Sequence, residues 1–124
     1  MYKIKVFKDE KGNEPVSEYL EELSRSKSKD SRIKLNKIHE YIQILQNDGL
    51  ACGEPYIKHI DGKIWELRPL RDRIFFVAWY NNSFVLLHSF MKSTQKTPKR
   101  EIEKAKKEFD YLKSMEADYE WQAP

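Results

Sequence analysis

Residues 64–92 read IWELRPLRDRIFFVAWYNNSFVLLHSFMK. Three short runs stand out in this stretch: Ile64–Arg68, Arg73–Trp79 and Phe84–Met91. They are rich in β-branched and aromatic residues, and the last two are almost continuously apolar. That is the pattern of strands covered on both faces. Pro69–Asp72 separates the first two runs. Tyr80–Ser83, with Asn81–Asn82 at its centre, is a tight-turn signal. Two such connections in succession make the three runs neighbours in an antiparallel sheet.

Working outward, Tyr2–Lys8 alternates Tyr2, Ile4 and Val6 with Lys3 and Lys5, and reads as a strand with one wet face. Gly12–Asn13 ends it. Pro15 suits the first turn of a helix, and Val16, Tyr19, Leu20 and Leu23 recur at helical spacing with Glu18, Glu21 and Glu22 outward. Asp30 or Ser31 can cap a second helix. Ile33, Leu35, Ile38, Ile42 and Leu45 give it an apolar side, and Gly49 can stop it. Such a helical hairpin needs a sheet to cover. Ala51–Pro55 is a loop. Pro98 opens a last helix with Ile102, Ala105, Phe109 and Leu112 on one side. The expected order is β-α-α-β-β-β-α, an α+β fold with a mainly antiparallel sheet, in one domain over residues 1–124. Tyr119 and Trp121 in the tail are apolar enough to dock on the body or meet a partner.

The chain is 35% charged and 40% apolar, but 13% of it is aromatic, enough for one core. No apolar run approaches the roughly 18 residues of a membrane span, so no membrane partner is expected. The N-terminal residues lack the apolar region of a signal peptide. Cys52 is the only cysteine, which rules out an internal disulfide and suits a reducing cytoplasm. With no metal-ligand cluster and no nucleotide-binding loop, no cofactor is expected.

Charge is unevenly placed. Residues 1–55 are neutral, residues 56–100 carry nine Lys/Arg against three acids, and residues 101–124 carry four against seven. The middle segment favours a polyanionic partner, the alternative being a solvated basic face. The turns then set a register. If Asn81–Asn82 is a two-residue turn, Arg73 faces Phe90 and Phe75 faces His88. If Pro69–Asp72 is a four-residue loop, Arg68 faces Arg73 and Glu66 faces Phe75. One row becomes Arg68–Arg73–Phe90 with Lys92 beyond it, and the next becomes Glu66–Phe75–His88. Three cations at one end of one face can hold phosphate, unless Glu66 and Asp72 neutralise them.

At these residues the sequence resembles the RelE/ParE superfamily of toxin–antitoxin toxins, and within it the HigB-like branch. The matching stretches are DGKIWELR (61–68), RIFF (73–76), LLHSFMK (86–92), TQKTP (94–98) and EIEKA (101–105). The resemblance implies a RelE-like fold with helices packed on one side of a twisted sheet. It also implies an endoribonuclease that cuts messenger RNA in the ribosomal A site. The chemistry it implies is metal-free: the 2′-hydroxyl attacks the adjacent phosphate and the 5′-oxygen leaves. Carried over by position, Arg73 stabilises the transition state, with Arg68 and Lys92 beside it, and Glu66 and His88 form a candidate proton-transfer pair. Lys96 is expected to clamp RNA or the ribosome, along with Lys58, His59, Lys63, Arg71 and Lys99. The implied partner besides message and ribosome is a HigA-like helix-turn-helix antitoxin.

Each residue also has a plainer reading. His88 lies among apolar neighbours, as a core histidine does. Glu66 can be the counter-ion of Arg68 or Arg73. His59 can be merely solvated. Two other functions fit the same scaffold: a ParE-like gyrase inhibitor without nuclease activity, and a silent binding module. The inhibitor has no chemical need for Arg68, Arg73 and Lys92 together, and the binding module would bind without cutting a message.

Overall fold

The computed structural model describes residues 1–119. Trp121 and the Tyr119 side chain, on which the docking expectation for the tail falls, lie outside the described residues. In chain order the elements are β1 (Lys3–Val6), α1 (Pro15–Arg25), α2 (Lys29–Asp48), β2 (Ile57–Asp61), β3 (Ile64–Leu67), β4 (Asp72–Trp79), β5 (Ser83–Met91) and α3 (Lys99–Tyr119). The strands form one sheet in the order β1-β5-β4-β3-β2. β1 runs parallel to β5, and the other three pairings are antiparallel. The fold is α+β, as expected, with a strand more than the sequence pattern indicates. Ile57–Asp61 adds the edge strand β2, whose Lys58 and His59 are exposed. Charged and polar residues on an edge discourage pairing with other chains, and they also disguise the strand in the sequence.

The helices divide between the two faces of the sheet. α1 and α2 bring Val16, Leu23, Ile38 and Leu45 onto Ile57, Leu67, Ile74, Phe76, Phe84 and Leu86. α3 brings Ala105, with Ile102, Phe109 and Leu112, onto Ile64, Phe75, Val77, Val85 and Leu87. The packing of all helices on one side is thereby corrected. The reason lies in the central strands: residues 74–77 and 84–87 are buried at every position. Each such Ile, Leu or Phe contributes about 1.5–3 kcal/mol when buried, so neither face can be left wet.

Local signals place the helix ends. Pro15 is in the first turn of α1. The cap of α2 is Ser28 rather than Asp30 or Ser31, its side chain accepting from the Ser31 amide at 3.1 Å. Gly49 ends α2 at φ +61°, and a Cβ there would meet the Tyr2 ring at 2.6 Å, so both conformation and space require glycine.

The register near the basic end is the expected one: Arg73 pairs with Phe90, and Glu66 with Phe75. At the other end of the β4–β5 hairpin it is not. Trp79 pairs with Ser83, leaving Tyr80–Asn82 as a three-residue connection, with Asn81 and Asn82 both at positive φ. An irregularity between Ile74 and Phe76 makes up the difference. There Phe75 stands against two residues of β5, Leu87 and His88, as at a β-bulge.

Candidate functional site

The basic end of the sheet is assembled from three segments. β3 delivers Glu66 and continues into Arg68. The bend 69–72 delivers Arg71 and leads into Arg73 on β4. β5 runs out into Lys92 and the loop 93–98. Arg71, Arg73, Lys92, Ser93, Thr94 and Gln95 line a shallow cavity of about 370 Å³. The main chain ties its walls together, the Lys92 amide donating to the Arg71 carbonyl at 2.8 Å.

Arg73 is held firmly. Its side chain is only 11% exposed, and its Nη1 donates to the carbonyls of Leu70 at 2.9 Å and Asp72 at 2.8 Å. Its Nε lies 3.8 Å from Glu66 Oε2, and Arg68 Nε lies 3.5 Å from the same oxygen. Glu66 is fully buried. It therefore stands between two guanidinium groups as a shared counter-ion, with the Thr97 hydroxyl donating to its other oxygen at 3.5 Å. Arg68 also reaches Glu54 at 3.5 Å on the rim. Glu66 Oε2 and the Nε atoms of Arg68 and Arg73 are buried without a hydrogen bond, so the ion pairs are loose in geometry.

Lys92 has no ion-pair partner among the described residues. Burial lowers the pKa of its ammonium. Glu66 acts against that shift, while Arg73, Arg68 and Lys58 add to it. Burial likewise lowers the pKa of Arg73, against the pull of Glu66. A site whose cations repel one another and are partly desolvated gains from an anion.

The structure brings together Arg68, Arg71, Arg73, Lys92, Glu66 and, through β2, Lys58, which pairs with Glu66 across the ladder. The other candidates are placed elsewhere. Lys63 sits at the β2–β3 turn, five residues from Arg68 and about 16 Å away along the strand. His59 pairs with Trp65 on the face opposite Glu66, and its Nε2 donates to the Gly62 carbonyl at 2.8 Å. Lys96 and Lys99 are exposed, in the loop and at the start of α3, and neither lines the cavity.

His88 and Glu66 do not form a pair. His88 shares the α3 face with Phe75, and there Nδ1 meets Glu108 Oε1 at 2.5 Å and Nε2 meets Glu101 Oε1 at 3.0 Å. The imidazole is buried, edge-on to Phe75 at 5.4 Å. With a carboxylate on each ring nitrogen, its chemistry is spent on anchoring α3. A signal for this was present in the sequence. Glu101 and Glu108 fall seven residues apart, in line with Ala105 and Leu112 on the apolar stripe of α3, where solvated acids do not belong. No group of three or more His, Cys, Asp and Glu among the described residues could hold a metal ion.

Asp72 forms no ion pair with the cluster, although its charge favours the charged form of Arg73. It points to the opposite face, where the Tyr19 hydroxyl of α1 donates to Oδ1 at 2.7 Å. Ser93, Thr94, Gln95 and Thr97, none of which the charge pattern could single out, complete the site.

The family model described as phage derived protein Gp49-like (DUF891) matches residues 18–110. That span takes in every residue of the cavity and the contacts of Glu66 and His88. No curated protein matches the chain.

Proposed function

The chain belongs to the Gp49-like family of phage-derived proteins, and on that premise we propose that it is the toxin of a type II toxin–antitoxin pair. In this reading it is a ribosome-dependent endoribonuclease that cuts messenger RNA, restrained by a HigA-like helix-turn-helix antitoxin. The observation that carries the reading is the cavity itself. Arg71, Arg73 and Lys92 face one space, and the nearest carboxylate, Glu66, is already shared between Arg68 and Arg73.

The expected reaction divides simply. The ribose 2′-oxygen bonds to phosphorus and releases its proton to solvent. The bond from phosphorus to the 5′-oxygen breaks, and the leaving oxygen takes a proton. Charge accumulates on the phosphoryl oxygens as this happens. Arg73, with one terminal nitrogen fixed by two carbonyls and Nε beside Glu66, has its other terminal nitrogen left for that charge, without reorganising. Lys92, the cavity lysine, whose pKa burial lowers, is suited to protonate the leaving oxygen. Lys58, Arg68 and Arg71 hold flanking phosphates, and exposed Lys96 and Lys99 extend the basic surface towards the ribosome. A gyrase inhibitor would have no use for a desolvated lysine facing this space.

The test is chemical. A message bearing a single 2′-deoxyribose at the cut position, programmed into ribosomes with the purified protein, should resist cleavage there. The all-ribose message should give a 5′ fragment ending in a 2′,3′-cyclic phosphate. Equal cutting of both messages would rule out the mechanism.

A further inference from the structure

The bend that presents Arg73 is under tension. Leu70 has φ +57°, a region that side chains with a Cβ seldom occupy. Its carbonyl and that of Asp72 are the two acceptors that hold Arg73 Nη1. Asp72 itself is 2% exposed, lies between two arginines in the chain, and has one carboxylate oxygen, Oδ2, with no hydrogen bond. A buried carboxylate so placed would ordinarily seize a neighbouring guanidinium. Here it does not. It projects on the face of Ile74 and Phe76, covered by α1 and α2, whereas Arg73 projects on the face of α3. Its hydrogen bond there comes from a single side chain, Tyr19. Burial pushes the Tyr19 phenol above the ordinary tyrosine range, and Asp72 adds to the shift, so the hydroxyl remains a donor.

We propose that Tyr19 is a positioning residue for the phosphate site: its hydroxyl retains the Asp72 carboxylate on the opposite face and so keeps Arg71 and Arg73 available to an anion. The inference rests on the reading of the Arg73 cavity as a phosphate site. It gives α1 a part in that site although no side chain of α1 lines the cavity. Loss of the hydroxyl leaves both oxygens of Asp72 buried without a donor, and the carboxylate then turns to the arginines in competition with phosphate.

The experiment uses the full chain and three variants, Tyr19→Phe, Asp72→Asn and the double variant. Inorganic phosphate is the probe, titrated while the Nε–Hε signals of Arg71 and Arg73 are followed by NMR. Cutting of ribosome-bound message is scored in parallel. Tyr19→Phe should weaken phosphate binding by about tenfold, the effect of one lost buried hydrogen bond, and should displace the Arg73 signal before phosphate is added. Asp72→Asn in the Tyr19→Phe background should restore affinity to near the wild-type value, because the competing charge is gone. A residue that merely packs would show no such rescue. Unchanged affinity and signal in Tyr19→Phe, or a loss that the double variant fails to relieve, would overturn the proposal. Should Tyr19→Phe fail to fold, Asp72→Asn alone decides: phosphate affinity equal to or above wild type supports the proposal, and a lower one contradicts it. If the wild type cuts no message, the nuclease reading fails separately. If it also binds no phosphate, the Arg73 signal alone decides, displaced in Tyr19→Phe in support or unmoved against.

Discussion

Glu66 Oε2 lies 3.8 Å from Arg73 Nε at the base of the basic cavity, and the carboxylate has no exposed surface at all. The arrangement makes Glu66 a counter-ion, and it sets the charge that a ligand meets. Arg68 shares the same oxygen, so one negative charge serves two guanidinium groups. Lys92 and Arg71 add to the positive charge that is left over.

Glu66→Gln keeps the shape and removes the charge. Two arginines then repel each other in a partly buried setting, and the fold should lose about 1–3 kcal/mol. Phosphate or sulfate at millimolar concentration should recover much of that loss, since an anion bound only by the folded state stabilises it. Thermal melts with and without the anion check both parts. A general-base role would show the opposite pattern, with normal stability, no special response to anions and abolished cutting.

Lys92 gives a pH signature. Burial lowers its pKa, Glu66 opposes the shift, and Arg73, Arg68 and Lys58 reinforce it. A bound phosphate adds negative charge beside the ammonium and raises the pKa again. Affinity is therefore greatest below the pKa of the free protein and declines as pH rises through it towards the pKa of the complex. Between the two values, binding takes up a proton. Calorimetry of phosphate binding in two buffers of different ionisation enthalpy, in a pH series approaching the ordinary lysine range from below, should report that uptake, and Lys92→Met should abolish it.

His88 should matter to the fold before it matters to chemistry. His88→Ala leaves Glu101 and Glu108 facing each other across an empty space, and the loss should be about 3 kcal/mol. Urea denaturation measures it. Cutting per folded molecule should stay within a few-fold of wild type. A variant as stable as wild type but unable to cut would return His88 to the proton-transfer chemistry.

Much of this site can be read from chain order, and the limits of that reading have physical causes. The pairings of Arg73 with Phe90 and Glu66 with Phe75 follow from loop lengths next to strongly patterned strands. The Asn81–Asn82 turn is one residue longer than its dipeptide indicates, and the irregularity at Phe75 absorbs the difference, so the basic end falls where a simpler hairpin would put it. Nothing local in the sequence encodes that irregularity. β2 is hidden because an edge strand carries Lys58 and His59 in place of an apolar face. The Tyr19–Asp72 bond joins residues 53 apart in sequence, and Tyr19 reads as one more apolar residue on the stripe of α1. Helices on both faces were implicit in the continuous apolar runs of β4 and β5, and those runs outweigh the one-sided packing that the resemblance implied.

If the Arg73 cavity cuts messenger RNA, the cut leaves new 5′ ends. Mapping of 5′ ends on a reporter message by primer extension, after induction of wild type and of Arg73→Ala, tests it most directly. Wild type should give new 5′ ends within the translated region. Arg73→Ala should reduce them by at least about 100-fold, the scale of losing a preorganised donor to a developing oxyanion, with the variant folded and growth restored. Growth arrest by wild type without any new 5′ ends, or undiminished cutting by Arg73→Ala, would contradict the nuclease reading.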